Sequence, residues 1–130
     1  MADSTEITRK PVSRSLLLPS FVAAVVSFVS FLPVRGKRAL HTEGRWHASL
    51  HLAVFCIVGF VAVRTARSLT ARIAAFAGAV LFGFLIEEGE HLVYGASMEW
   101  KDVLVDTIGA IAGTLLALLT VAREADIDPR

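Results

Sequence analysis

Residues 16–34, LLLPSFVAAVVSFVSFLPV, form a run of 19 side chains without one ionisable group. A helix needs roughly 20 such residues to cross the hydrocarbon core of a bilayer. Arg9, Lys10 and Arg14 precede the run, as basic residues precede a secretory signal core. The run is longer than such a core, however, and no small-x-small cleavage site follows it before Pro33 and Arg35. It is expected to stay in the protein as a span. Pro19 then falls in its first turn, where a missing N–H is tolerated.

Three further apolar blocks follow at about residues 46–63, 72–91 and 102–122. The uncharged, His-free cores of the second and third, Leu52–Val63 and Ile73–Ile86, fall below the roughly 17 residues of a minimal span. Each reaches membrane length only if polar neighbours join the helix: His47 and His51 in the second, Glu87 through His91 in the third. The fourth block is long enough but contains Asp106. Hydrophobic residues make up 55% of the chain, above the roughly 45–50% of soluble domains, and the excess lies in these blocks.

The expected architecture is all-α, an integral membrane four-helix transmembrane bundle over residues 16–122. A polar segment (1–15) precedes it and a short, mobile polar tail (123–130) follows. Arg64–Arg72 is read as a tight link that makes the second and third helices antiparallel neighbours. A net charge of +1 without a clustered basic face argues against a nucleic-acid partner. Cys56 is the only cysteine, so no intrachain disulfide can form.

Lys and Arg set the expected orientation. Arg9, Lys10, Arg14, Arg64, Arg67, Arg72, Arg123 and Arg130 fall on one side; Arg35, Lys37, Arg38, Arg45 and Lys101 fall on the other. Both termini of this multi-pass chain are therefore expected in the cytoplasm.

In that topology the start of the second helix and the end of the third share one side with the start of the fourth. The candidate chemical groups meet there: His47, His51, Glu87, Glu88, His91, Asp102 and Asp106. His47 and His51 are four apart and stack on one face, as do Glu87 and His91. Asp102, Asp106, Gly109 and Gly113 follow a 4-3-4 spacing that keeps them on one stripe. Gly109 and Gly113 form a small-xxx-small pair that admits another helix, and this stripe is also a candidate for oligomer formation. Ala75, Ala79 and Gly83 form a small stripe in phase with Glu87. The carboxylates are thus expected to face the bundle rather than lipid.

A carboxylate at a helix N-terminus is favoured by the macrodipole, which accounts for Asp102 without any function. Glu90 and Glu99 read as solvated loop charges. Asp106 and Glu88 are harder to explain that way, because intramembrane charge is expensive and marks functional sites. A divalent metal is one option, although Glu-x-x-His occurs once, at Glu88–His91, where di-iron bundles carry it twice. General acid–base chemistry is a second. A structural ion-pair network with Arg45 and Lys101 is a third. A membrane haem is disfavoured, since all four histidines, His41 included, lie on one side.

The spans and the segment MEWKDVLVDTIGAIAG resemble the VanZ-like family of small bacterial membrane proteins, named for teicoplanin resistance. Glu43 and His47 stand at an acidic-Lys-x-x-His element, with Gly44 in place of Lys. Glu88 and His91 stand at a Glu-x-x-Gln element. Glu99 to Asp102, with Gly109 and Gly113, match the last element, where Asp106 replaces Asn. Ala96 stands where the family has Arg. The pattern thus loses two cations and gains an acid, a balance that suits a cation or a different substrate. The resemblance implies an envelope protein that lowers glycopeptide susceptibility by binding or acting on a lipid-linked or cell-wall component. A membrane hydrolase or transferase and a non-catalytic assembly subunit stay open beside it.

Overall fold

The computed structural model describes residues 14–33, 36, 46–95 and 97–127. His41, Glu43, Gly44, Arg45 and Ala96 lie outside the described residues, as do Arg9, Lys10, Val34, Arg35, Lys37, Arg38 and Arg130. Among the described residues there are four helices and no strand: α1 (Arg14–Ser30), α2 (His47–Thr65), α3 (Leu69–Tyr94) and α4 (Trp100–Ile127).

Helices α2, α3 and α4 are long and apolar enough to cross a membrane. The polar neighbours do join them: His47 and His51 are in α2, and Glu87 through His91 are in α3. Helix α1 has 17 residues, a reach of about 25 Å at 1.5 Å per residue. It ends at Ser30, short of the expected boundary, because Pro33 cannot continue it and restricts the residue before it. It also starts at Arg14, so Pro19 sits inside the helix rather than in its first turn.

The link between α2 and α3 is only Ala66 to Ser68, shorter than expected. The Ser68 side chain accepts from Ala71 N–H at 3.1 Å and caps α3, while Arg72 Nε donates to Ala66 O at 3.3 Å. At its other end α3 stops at Gly95, whose φ of 64° lies in the left-handed region, where its N–H reaches His91 O at 2.9 Å. Helix α4 continues through residues expected in the polar tail. Arg64 Nη2 contacts both carboxylate oxygens of Glu124 at 2.5 and 2.7 Å, tying that extension to the end of α2.

Helices α2 and α4 run parallel, and α3 is antiparallel to both. The α2–α4 contact is backbone against backbone. A Cβ added at Gly109 would lie 2.6 Å from Leu52 O, and one at Gly59 would lie 2.5 Å from Ala110 O. One at Gly113 would collide with Cys56 O and lie 2.7 Å from Phe60 N. The Gly109/Gly113 stripe is therefore spent inside the chain and is not available for oligomer formation, contrary to expectation. Phe55, Val58, Ala79 and Ala110 are buried at the centre, with Val22 and Val26 of α1 packed on them.

Much of the outer surface is apolar. Phe21 and Phe28 of α1, Ile73 and Leu81 of α3, and Leu104 and Leu119 of α4 are all exposed. Water does not favour so continuous an apolar surface, whereas a bilayer covers it. Trp46, Tyr94 and Trp100, all exposed, sit at one end of the bundle, where interfacial aromatics belong.

Replacing Gly113 by Ala forces α2 and α4 apart and is expected to destabilise the protein by about 1–3 kcal/mol. Gly78→Ala, where an added Cβ meets nothing within 4 Å, is expected to be neutral or stabilising by up to about 1 kcal/mol. Thermal unfolding of both variants in detergent checks the pair.

Candidate functional site

The parallel register of α2 and α4 decides what meets at the aromatic end. His47 and Asp102 are 55 residues apart, and so are His51 and Asp106. One turn along α2 is matched by one turn along α4, so the pairs form two layers. His47 Nε2 and Asp102 Oδ2 are 2.9 Å apart; His51 Nδ1 and Asp106 Oδ1 are 2.8 Å apart. With the carboxylates ionised, each can only accept, and the imidazole is then the donor. The two rings lie edge to face with centroids 4.4 Å apart.

The second layer is the deeper one. Asp106 stands six residues beyond Trp100, about 9 Å further into the membrane by helical rise. Its residue is 1% exposed, and its Oδ2 has no hydrogen-bond partner among the described residues. That oxygen faces α3 at Gly83: a Cβ there would stand 3.2 Å from Oδ2 and 3.0 Å from the Phe55 ring. Gly83 is thus small because the carboxylate needs the room.

One turn along α3 from Gly83 comes Glu87, also buried. A carboxylate oxygen of Glu87, a ring nitrogen of His51 and a carboxylate oxygen of Asp106 all lie within 4.8 Å of one another. His47, His51 and Asp102 form a second such set that shares His51. Among the described residues, the ion pairs in this cluster join imidazoles to carboxylates, without Lys or Arg.

Five of the seven candidates therefore converge: His47, His51, Glu87, Asp102 and Asp106. Glu88 and His91 do not. Glu88 is half-buried and His91 exposed, and neither belongs to either set. The small stripe Ala79–Gly83 is in phase with Glu87, and the neighbouring Glu88 is turned roughly 100° away around the helix. Asp102 is buried and held by His47, so it is more than a solvated helix-end charge. Lys101 is exposed and takes no part in the His47–Asp102 and His51–Asp106 pairs.

Glu90 was expected in a loop but belongs to α3. It lines a cavity of about 160 Å³ between α1 and α2, together with Val26, Val29, Leu50, His47 and His51. This cavity had no signal in the sequence, because uniformly apolar blocks do not reveal which faces leave a gap. The wall is apolar except at the histidines, Ser30 and Glu90, so the polar cluster borders a space suited to hydrocarbon.

No protein-family model, no curated protein and no solved structure matches the chain.

Truncating Asp106 to Ala strands the His51 donor and is expected to cost about 1–3 kcal/mol. In a double-mutant cycle with His51→Ala the coupling should be about 0.5–3 kcal/mol. Glu88→Ala, outside the cluster, should stay within about 0.5 kcal/mol of wild type. Equilibrium unfolding in mixed detergent micelles measures all four proteins.

Proposed function

We propose that this chain is a VanZ-like integral membrane protein of the bacterial cell envelope that binds a lipid-linked cell-wall component and lowers susceptibility to teicoplanin-type glycopeptides. The observation that carries the reading is the juxtaposition of a buried imidazole–carboxylate cluster with an apolar cavity that shares His47 and His51. An amphiphile has the matching division. Its polar part is met by the histidines and acids, and its hydrocarbon by Val26, Val29, Leu50 and Val54. The Glu99–Asp102 segment with Gly109 and Gly113 supports the family reading, on motif alone.

A second reading, a membrane hydrolase or transferase, is favoured by the His51–Asp106 pair. An imidazole oriented by a buried carboxylate is the arrangement of a general base. The assembly-subunit reading loses its main support, since the glycine stripe is occupied by α2.

The envelope reading places the cluster in the outer half of the membrane, with both termini cytoplasmic. Expression in a glycopeptide-sensitive bacterium is expected to raise the inhibitory concentration of teicoplanin. Asp106→Ala should abolish the increase and Glu88→Gln, outside the cluster, should keep it. Unchanged susceptibility with the wild-type chain at verified membrane levels sinks the reading. A cytoplasmic reporter fused after Arg130 should be active, and an inactive one reverses the orientation.

A further inference from the structure

We propose that His51, Glu87 and Asp106 form a binding site for one divalent first-row transition-metal ion, of the zinc class, inside the membrane-embedded bundle. The inference stands on the geometry of the cluster and does not rest on the envelope reading.

Three independent helices supply the donors: His51 from α2, Glu87 from α3 and Asp106 from α4. One ligating atom of each lies within 4.8 Å of the other two. Tetrahedral zinc with ligands at 2.0–2.1 Å sets them about 3.3 Å apart, so small side-chain rotations close the set. The His51–Asp106 contact at 2.8 Å would open slightly as the ion enters. The proton now shared there would leave to solvent, because metal ligands bind deprotonated.

Asp106 supplies the observation that a structural hydrogen-bond network does not explain. Its residue is 1% exposed, yet Oδ2 has no hydrogen-bond partner among the described residues. An acceptor buried in this way is costly unless something occupies it. Gly83 lets the α3 backbone pack close against that oxygen, where a Cβ would stand 3.2 Å from it. One turn further along the same helix comes the buried carboxylate of Glu87.

Charge leads to the same conclusion. Glu87 and Asp106 are two buried acids at close range, and among the described residues no Lys or Arg pairs with them. Uncompensated buried charge is strongly destabilising. A dication cancels two ionised carboxylates, and neutral His51 adds a donor without adding charge. One imidazole with two carboxylates suits zinc-like ions, whereas magnesium and calcium prefer all-oxygen shells. The His47–Asp102 pair lies one turn nearer the aromatic end, over the site. Three protein ligands leave a fourth position for water or a ligand, as in catalytic zinc sites.

The test uses the full chain, purified in detergent with an affinity tag that lacks histidine. It is stripped with chelator, titrated with zinc, and assayed by elemental mass spectrometry and calorimetry. One zinc per chain is expected, with affinity weakened at least about tenfold in Glu87→Gln and in Asp106→Asn. Glu88→Gln should bind as wild type does, and excess magnesium should not displace the zinc. Cobalt(II) should give visible absorption bands in the wild type that both variants lose.

Substoichiometric zinc at saturation overturns the proposal, as does unchanged affinity in both variants or displacement by magnesium. Retention in Glu87→Gln with loss in Asp102→Asn would move the ion to the other triad and equally overturn it. Should a variant lose its helical circular dichroism, the wild-type cobalt spectrum decides. Bands of a nitrogen–oxygen ligand set support the site, and a spectrum of hydrated cobalt refutes it.

Discussion

The backbone contact between α2 and α4 is the constraint on which the rest of this molecule depends. Between helices in a bilayer there is little hydrophobic drive, because lipid chains are as apolar as leucine. Close approach and polar bonds have to hold the bundle instead. Gly59, Gly109 and Gly113 allow that approach on both helices, with Leu52 O, Cys56 O and Ala110 O against the positions where Cβ atoms would stand. Once the backbones touch, the parallel register leaves little freedom, and His47 and His51 must face Asp102 and Asp106. The polar end and the glycine contact are thus two consequences of one alignment. Arg64 and Glu124 fasten its far end.

That alignment also explains why acids are tolerated at depth. A carboxylate on a lone helix would face lipid, but Asp106 faces an imidazole at 2.8 Å and a glycine left small for it. Helix α3 completes the enclosure from the opposite chain direction. Glu87 follows Gly83 by four residues and Ala79 by eight, so the same face is small where α4 approaches and acidic at the aromatic end. The sequence of α3 contains both facts in one stripe.

Part of this was legible before any coordinates. The 4-3-4 spacing of Asp102, Asp106, Gly109 and Gly113 already assigned the acids to a packing face, and the phase of Ala79 and Gly83 pointed to Glu87. What single-helix periodicity cannot carry is partner choice. A small stripe on α4 is compatible with α2, with α3 or with a second copy, and only the assembled bundle shows α2 against it. The same limit explains Glu88, which occupies the Glu-x-x-His motif but stands about 100° around the helix from the stripe. A Glu-x-x-His spacing can sit on any face of a helix, whereas phase with Ala79 and Gly83 selects one face. Glu90 was missed for a related reason. A glutamate near the end of an apolar run reads as loop until the helix is seen to continue to Tyr94.

Helix α1 makes a different kind of contribution. Its block has no acid, no histidine and no glycine, so no backbone-to-backbone approach like that of α2 and α4 is built into it. Val22 and Val26 rest on the core. The Phe31 ring occupies the space left by Gly89, and Tyr94 Oη donates to Phe31 O at 2.7 Å. Between these contacts it stands off α2 far enough to leave the cavity. A helix held by a few points, which lines the space with Val25, Val26 and Val29 and places Ser30 at its end, is the natural wall for a flexible hydrocarbon. Helices α2, α3 and α4 gather their histidines and buried acids at one end, and α1 encloses the apolar space beside them. The division follows from which helices carry glycine: the backbones of α2 and α4 touch at theirs, whereas α1, which has none, leaves a space beside α2.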